Sequence, residues 1–376
     1  MRKIQMVDLH SQYEKIKSEI DEAISDVIKS TAFIKGAKVG EFASELTSYL
    51  NVKHVIPCGN GTDALQIAIM SLGLKPSDEI ICPDFTFIAS AEVIGLLGYR
   101  PVFVDVDYDS FNVTAKNIEQ AISIKTKAII PVHLFGQAAP MEAILEIAKK
   151  YDLYVIEDTA QAIGADYIFS DGRKQKLGTI GTIGCTSFFP SKNLGCYGDG
   201  GALFTDDDEL AERLKMIANH GMKVRYHHDI LGVNSRLDTI QAAILSTKLK
   251  YLDRYEQARQ ETAKKYDEAF GNIDDLVIPK KETFSTHVYH QYTLKVKNGK
   301  RDDLRTFLEQ NDIPSMVYYP VPLHKQKAFL PIARQGGALN ISETLTEQVL
   351  SLPMHTELDE EQQTYIICKV REFFNK

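Results

Sequence analysis

The chain contains no tryptophan and only five cysteines in 376 residues. Those cysteines (Cys58, Cys82, Cys185, Cys196 and Cys368) are odd in number and far apart, with no CxxC or CxxH spacing. Neither a disulfide framework nor a structural zinc site is indicated, so no metal is expected. A reducing cytoplasm is the simple expectation. No apolar run approaches the length of a membrane span, and the opening MRKIQMVDLH lacks the apolar centre of a secretory leader. Blocks of basic charge are missing too. Lysine and arginine number 43 against 51 acidic residues, a net charge of −8 spread along the chain. Nucleic acid and membrane are therefore not expected partners, and an anionic ligand would need locally placed donors. Internal repeats and low-complexity segments are absent.

What remains is the make-up of an ordinary globular protein, 44% hydrophobic and 25% charged. The length allows one large domain and a smaller one. Seven β-rich runs appear between residues 54 and 205: HVIPC (54–58), EIICP (79–83), PVFVDVD (101–107), KAIIPVHLFG (127–136), LYVIED (153–158), CTSFF (185–189) and GALFT (201–205). Several are apolar nearly throughout, as strands buried on both faces must be. Helical patterns such as TDALQIAIMSLGL (62–74) and MEAILEIAKKY (141–151) lie between them. That alternation predicts an α/β domain built on a mainly parallel sheet. A helix near 11–30 reads as an arm against it. After Leu237 the order changes: a long helical stretch over 239–270, a β-like YHQYTLKV (289–296), a helical RDDLRTFLEQN (301–311) and a closing helix after Asp359. This α+β order divides the chain at 1–254 and 255–376.

Open α/β sheets bind ligands at the C-terminal ends of their strands. Directly after HVIPC comes GNGTDALQ (59–66), where Gly59 and Gly61 let backbone approach a ligand and Thr62 opens a helix. A helix start with free amides and a hydroxyl makes a phosphate cradle; the same residues would also serve as a tight strand-to-helix turn. The pattern is neither GxGxxG nor Walker, which disfavours dinucleotides and triphosphates. Asp158 ends an apolar strand, where a carboxylate needs a cation or donors around it, or else caps a following helix. Gln161, three residues on, is its capping-box partner or a ligand contact. Lys192 stands in TSFFPSKNLGCYGDGGALFT (186–205), among apolar residues and glycines where a surface lysine has no business. Donors, a buried acid and a lysine at three strand ends suit pyridoxal phosphate (PLP): the donors hold the phosphate, the acid pairs with the ring nitrogen, and the lysine forms a Schiff base.

Together SFFPSKNLGCYGDGGA, EDTAQAIGA, GNGTDAL and GVNSRLDTIQAAIL resemble the DegT/DnrJ/EryC1/StrS family of nucleotide-sugar aminotransferases, and the likeness runs in order from VDLHSQY (7–13) to VLSLPMH (349–355). The resemblance implies the aspartate-aminotransferase fold (fold type I), with a seven-stranded sheet in the large domain and a homodimer sharing its active sites. It makes Lys192 the cofactor-bearing lysine and proton carrier, and pairs Asp158 with the pyridine nitrogen. It sets Gln161 near the ring, puts Gly61, Thr62 and Ser187 on the phosphate, and makes Phe87 an aromatic wall. Asn234 would reach the phosphate from the neighbouring subunit.

The pieces FFPSKNLGCYGDGG, RYHHDILGVNSRLD (225–238) and YPVPLHKQ (319–326) point further, to the subgroup acting on UDP-linked 2-acetamido-3-keto-glucuronate. L-glutamate would give its amino group, leaving pyridoxamine phosphate, and the keto sugar would take it up, yielding a surface-polysaccharide precursor. Arg236, Tyr318, Tyr319 and His324 are the expected substrate contacts, with His324 equally readable as an ordinary loop histidine; Tyr318 stands where that subgroup tends to carry histidine. A 4-keto sugar acceptor is the alternative. A sugar dehydratase of the same fold would carry histidine in place of Lys192, and a PLP-binding regulator would need a basic patch that the chain lacks. The adjacent His227 and His228 point apart and do not suggest a metal pair, Cys196 reads as packing, and DDDE (206–209) as a helix start.

Overall fold

The computed structural model describes residues 2–375. The apolar runs lie side by side in one sheet, in the spatial order His54–Cys58, Gly201–Thr205, Ile183–Ser187, Tyr154–Asp158, Thr126–Ile129, Glu79–Pro83, Arg100–Val104 and Arg334–Gln335. Only Gly201–Thr205 runs against its neighbours; every other pairing is parallel. Helices cover both faces, so side chains alternate between two cores. Ile81, Val102, Val104, Ile129 and Val155 enter one. Ile80, Cys82, Phe103, Ala128 and Ile156 enter the other.

The sheet has eight strands where seven were expected. The extra one is the two-residue Arg334–Gln335, too short to leave an apolar run in the sequence. It is held at the edge by the Arg334 guanidinium, which binds Glu79 through two hydrogen bonds of 3.0 and 2.8 Å. The run 127–136 also proves not to be one strand. Its regular ladder is interrupted after Ile129, where Pro131 has no N–H to give; one parallel bridge, Val132 to Asp158, follows, and Leu134–Gly136 then closes as a 3-10 turn.

A second, antiparallel sheet of Leu276–Val277, Tyr292–Val296 and Val349–Leu352 carries its own core of Tyr266, Tyr292, Leu294, Leu308, Leu350 and Ile366. The long helical stretch reaches it by breaking in two, Thr239–Leu249 and Leu252–Phe270. Ala242 and Leu245 of the first part pack with Phe42 and Leu46, whereas Ala263, Tyr266 and Phe270 of the second pack on the small sheet. One straight helix could not serve both. The closing helix Glu360–Phe374 starts from a capping box between Asp359 and Gln362, and Asp207 caps Asp208–Ala218.

Strand alternation sends the neighbours Glu157 and Asp158 to opposite faces. Glu157 is fully buried and accepts hydrogen bonds from the amides of Gly178 (2.9 Å), Ile180 (2.7 Å) and Gly181 (2.6 Å). His133 Nε2 lies 3.0 Å from it. One carboxylate thus shapes the loop leading into Ile183–Ser187. Replacing Glu157 by alanine orphans three amides and should cost about 3–5 kcal/mol in urea denaturation. A loss below about 1 kcal/mol would mean that those amides find other acceptors.

Candidate active site

A cavity of about 840 Å³ opens where five of the parallel strands end. Much of its lining comes from the ends of those strands and the residues just after them, within 60–63, 86–89, Val132, 158–161 and 185–192, and the stretch 317–320 adds a further wall. Gly61, Thr62, Phe87, Asp158, Gln161, Ser187, Lys192, Tyr318 and Tyr319 all lie on it. Asn234, Arg236 and His324 do not line the cavity of their own chain.

The cradle is built by contact between a helix start and a strand end. The helix Gly61–Ser71 begins one residue earlier than Thr62, with Asn60 as its cap accepting from the Asp63 amide at 2.8 Å. Gly61 and Thr62 then occupy the first turn, where amides have no intrahelical acceptor. A Cβ at Gly61 would sit 2.6 Å from that of Ser187, so only glycine allows this approach. Ser235 locks the turn from outside, accepting from the Gly59 amide at 2.9 Å and donating to Asp63 at 2.6 Å. This leaves its neighbours Asn234 exposed and Arg236 half-buried beside the cradle.

Asp158 is 6% exposed. One of its oxygens accepts from the Ser90 hydroxyl at 2.7 Å and the other from the Ala160 amide at 3.1 Å. No helix follows it; residues 160–164 form turns, so the helix-cap reading of Asp158 and the capping-box reading of Gln161 both fall away. Gln161 instead accepts from the Phe135 amide at 2.8 Å and donates to the Tyr319 hydroxyl at 3.1 Å. Phe87 stands across from Tyr319, ring centroids 6.3 Å apart, and is 54% exposed at the cavity mouth. His324 has both ring nitrogens engaged, by Asp84 at 2.7 Å and Glu343 at 3.1 Å.

Lys192 extends into this cavity from a tightly held loop. Its ammonium makes no hydrogen bond or ion pair among the described residues. Burial pulls its pKa down to about 8, against the opposing attraction of Asp158. A titratable amine and a buried carboxylate at one cavity, beside an anion cradle, form a site for covalent amine chemistry.

Residues 14–371 match the DegT/DnrJ/EryC1/StrS aminotransferase family. The chain belongs to that family. Two curated relatives are similar over almost their whole length. The pleiotropic regulatory protein of Geobacillus stearothermophilus is 47% identical across 99% of this chain and 98% of its own. The UDP-2-acetamido-2-deoxy-3-oxo-D-glucuronate aminotransferase of Pseudomonas aeruginosa is 45% identical across 95% of this chain and 96% of its own. Other relatives bear the names of dTDP-linked amino-sugar transaminases. Among solved structures, NtdA of Bacillus subtilis with its cofactor PMP bound superposes with a TM-score of 0.89 at 30% identity, covering 100% of this chain and 86% of that one.

For this family member, several residues at the site carried no signal in the sequence. Ser90, which holds Asp158, sits in the ordinary-looking helix Ala89–Leu96. Thr86 lines the cavity with a buried hydroxyl that has no protein partner. His290 also lines it; burial, then the charges of Lys192 and Arg259, keep its imidazole well below the usual range. Lys248 is buried and donates to the Gly195 carbonyl, bracing the loop that carries Lys192. Cys196 braces the same loop through the carbonyls of Phe188 (3.0 Å) and Gly198 (3.2 Å), its thiol pushed up to about 11 by burial.

The lowered pKa of Lys192 has a stability consequence of definite sign. Below pH 8 the folded chain holds a charge that burial disfavours; between pH 8 and 10.5 that penalty disappears as the folded amine sheds its proton first. Cofactor-free Lys192→Met should therefore be more stable than the parent at pH 7, by roughly 1–2 kcal/mol after allowing for water in the open cavity. The gap should close above pH 10.5. Lys248, titrating in the same range, is present in both proteins and cancels. Denaturation curves that stay parallel from pH 7 to 10.5 would contradict the buried charge.

Proposed function

We propose that this protein is a PLP-dependent aminotransferase that moves the amino group of L-glutamate onto the keto carbon of a nucleotide-linked sugar. The favoured acceptor is UDP-2-acetamido-2-deoxy-3-keto-glucuronate. One observation carries the reading: the Lys192 amine, the Asp158 carboxylate and the Gly61–Thr62 turn line the same cavity. These are the three handles PLP requires. The close approach of Gly61 to Ser187, which a Cβ would block, gathers the helix-start amides and the hydroxyls of Thr62 and Ser187 at the cavity, a donor set that suits a phosphate. The orphaned Thr86 hydroxyl adds a donor at the same cavity. When bound, PLP supplies an electron-poor ring that stores the amino group and draws charge from the substrate carbon.

The chain's own groups supply the rest. Asp158, fixed by Ser90 and the Ala160 amide, offers its carboxylate to a ring N–H. The Lys192 Nζ, its pKa near 8, loses its proton within reach of neutrality and can then take and return one at the substrate carbon. Phe87 walls one side of the ring, while Gln161 is held in place by Phe135 and Tyr319. Tyr318 and Tyr319 face the acceptor. In a homodimer, Asn234 and Arg236 would enter the neighbouring cavity, Asn234 toward the phosphate and Arg236 toward the sugar. The dTDP-sugar transaminases among the relatives favour a second acceptor, a dTDP-linked keto sugar. The regulatory name of the Geobacillus relative offers no reason for a low-pKa lysine facing a buried acid.

The purified protein should be yellow with PLP, and borohydride should fix the cofactor to the peptide holding Lys192. Glutamate should bleach the colour, and a keto sugar should restore it. Lys192→Ala should lose the borohydride linkage and essentially all turnover; normal transamination by that variant would remove the assignment.

Arg236 is where a uronate acceptor can be told from an uncharged one. A uronate carboxylate leaving water needs a cationic partner, and a planar guanidinium grips it through two hydrogen bonds. Arg236→Lys should lower kcat/KM for the keto-glucuronate by about 2–3 kcal/mol in transition-state terms, and by much less for an uncharged keto sugar. Equal losses would mean that Arg236 shapes the site generally and the preference for a uronate lies elsewhere.

A further inference from the structure

Asp84 follows the strand Glu79–Pro83 and is fully buried. One carboxylate oxygen lies 2.7 Å from His324 Nδ1, the other accepts the His324 amide at 2.8 Å, and the Asp84 carbonyl accepts the Leu323 amide at 3.0 Å. The far side of the imidazole meets Glu343, on the helix Asn340–Gln348, at 3.1 Å. That helix is pinned in turn by Asp105, which accepts from the amides of Ile341 and Ser342 at 2.8 Å each. His324 is thus clamped between the end of the sheet and a fixed helix.

The clamp lies four residues beyond Pro320. Tyr318, Tyr319 and Pro320 all line the cavity. Pro320 and Pro322 each fix one backbone dihedral in this short link, so a displacement of His324 is passed on toward the tyrosines. The two arms of the clamp differ in strength. The Asp84 side chain is 0% exposed and that of Glu343 43% exposed, so the Asp84 contact forms in a dry environment and the Glu343 contact in a wet one.

On the aminotransferase reading given above, we propose that His324 is a positioning residue: through Asp84 it fixes the Tyr318–Tyr319–Pro320 wall against which the acceptor sugar binds, and it does not touch the sugar. Three full-length variants separate the arms. In His324→Asn the side-chain amide can replace Nδ1 and keep the Asp84 contact. In His324→Gln it can replace Nε2 and keep only the Glu343 side-chain contact. His324→Ala loses both side-chain contacts, while the main-chain bonds to Asp84 remain in all three variants.

His324→Ala should raise KM for the keto sugar roughly tenfold, about the effect of one charge-assisted hydrogen bond, while kcat and the bleaching by glutamate change little. His324→Asn should recover most of that loss and His324→Gln little of it. Hydrogen exchange of the cofactor-free proteins should quicken across 316–326 in the alanine and glutamine variants, and stay unchanged across 185–200. If the alanine variant does not fold, the asparagine–glutamine contrast decides. Equal behaviour of those two, or unaltered exchange in 316–326, overturns the proposal. Failure of the aminotransferase reading would show differently, as a parent protein whose colour glutamate does not change, and the exchange contrast would still report on the clamp.

Discussion

A carboxylate at the end of a buried parallel strand loses its water and must find donors within the protein. Asp84, Asp105 and Asp158 all stand at such ends, and each is buried. Their solutions divide the labour of the molecule. Asp105 takes the amides and hydroxyl at the start of the helix Asn340–Gln348. Asp84 takes the backbone and ring of His324. Asp158 takes one hydroxyl and one amide, Ser90 and Ala160. The first two are satisfied by chain from the C-terminal part and so draw it onto the sheet. The third is satisfied from within the sheet domain, and it alone of the three lines the cavity that Lys192 also lines.

The same contrast separates Lys192 from Lys248. Burial pulls both amines to about pKa 8. Lys248 has an acceptor in the Gly195 carbonyl and is packed over the Tyr197 ring. It is one of several fastenings on residues 188–200, with the Cys196 thiol and the close passage of Gly195 beneath Pro190. Lys192 lines the cavity, and its amine makes no hydrogen bond or ion pair among the described residues. A rigid frame around one free amine is what covalent chemistry at a fixed carbon requires, since small displacements of the reacting atom are costly in rate.

The sequence made the sheet legible because strands buried on both faces are nearly continuous apolar runs. Lys192, Asp158 and the Gly61–Thr62 turn were legible because their chemistry conflicts with those surroundings. What escaped was whatever carries no such conflict. Arg334–Gln335 is too short for a pattern. Ser90 looks like any helical serine until Asp158 is placed beside it. His324 could be read as a ligand contact because nothing local reveals Asp84, 240 residues away, or Glu343 as its partners. The capping reading of Gln161 failed for a related reason: its side chain answers the Phe135 amide, left over where the 3-10 turn displaces the expected strand.

Apolar surface at the cavity mouth bears on how many chains complete the site. Phe87 and Phe189 line the cavity, yet each is more than half exposed, at 54% and 52%. The segment from the hairpin at 222–228 to the cradle residue Ser235 adds Tyr226 and Leu231, exposed at 75% and 90%. Exposed apolar side chains at the mouth of a site that must exclude water call for a cover. Asn234 and Arg236 share this geometry: they are fastened beside the cradle through Ser235, but neither reaches into its own cavity. A second copy related by a two-fold axis would cover the apolar mouth and bring both side chains to the opposite cavity in one step, because an isologous contact applies every such placement twice. The exposed aromatic residues, the exposed Asn234 and the half-buried Arg236 are what the proposed homodimer would account for together.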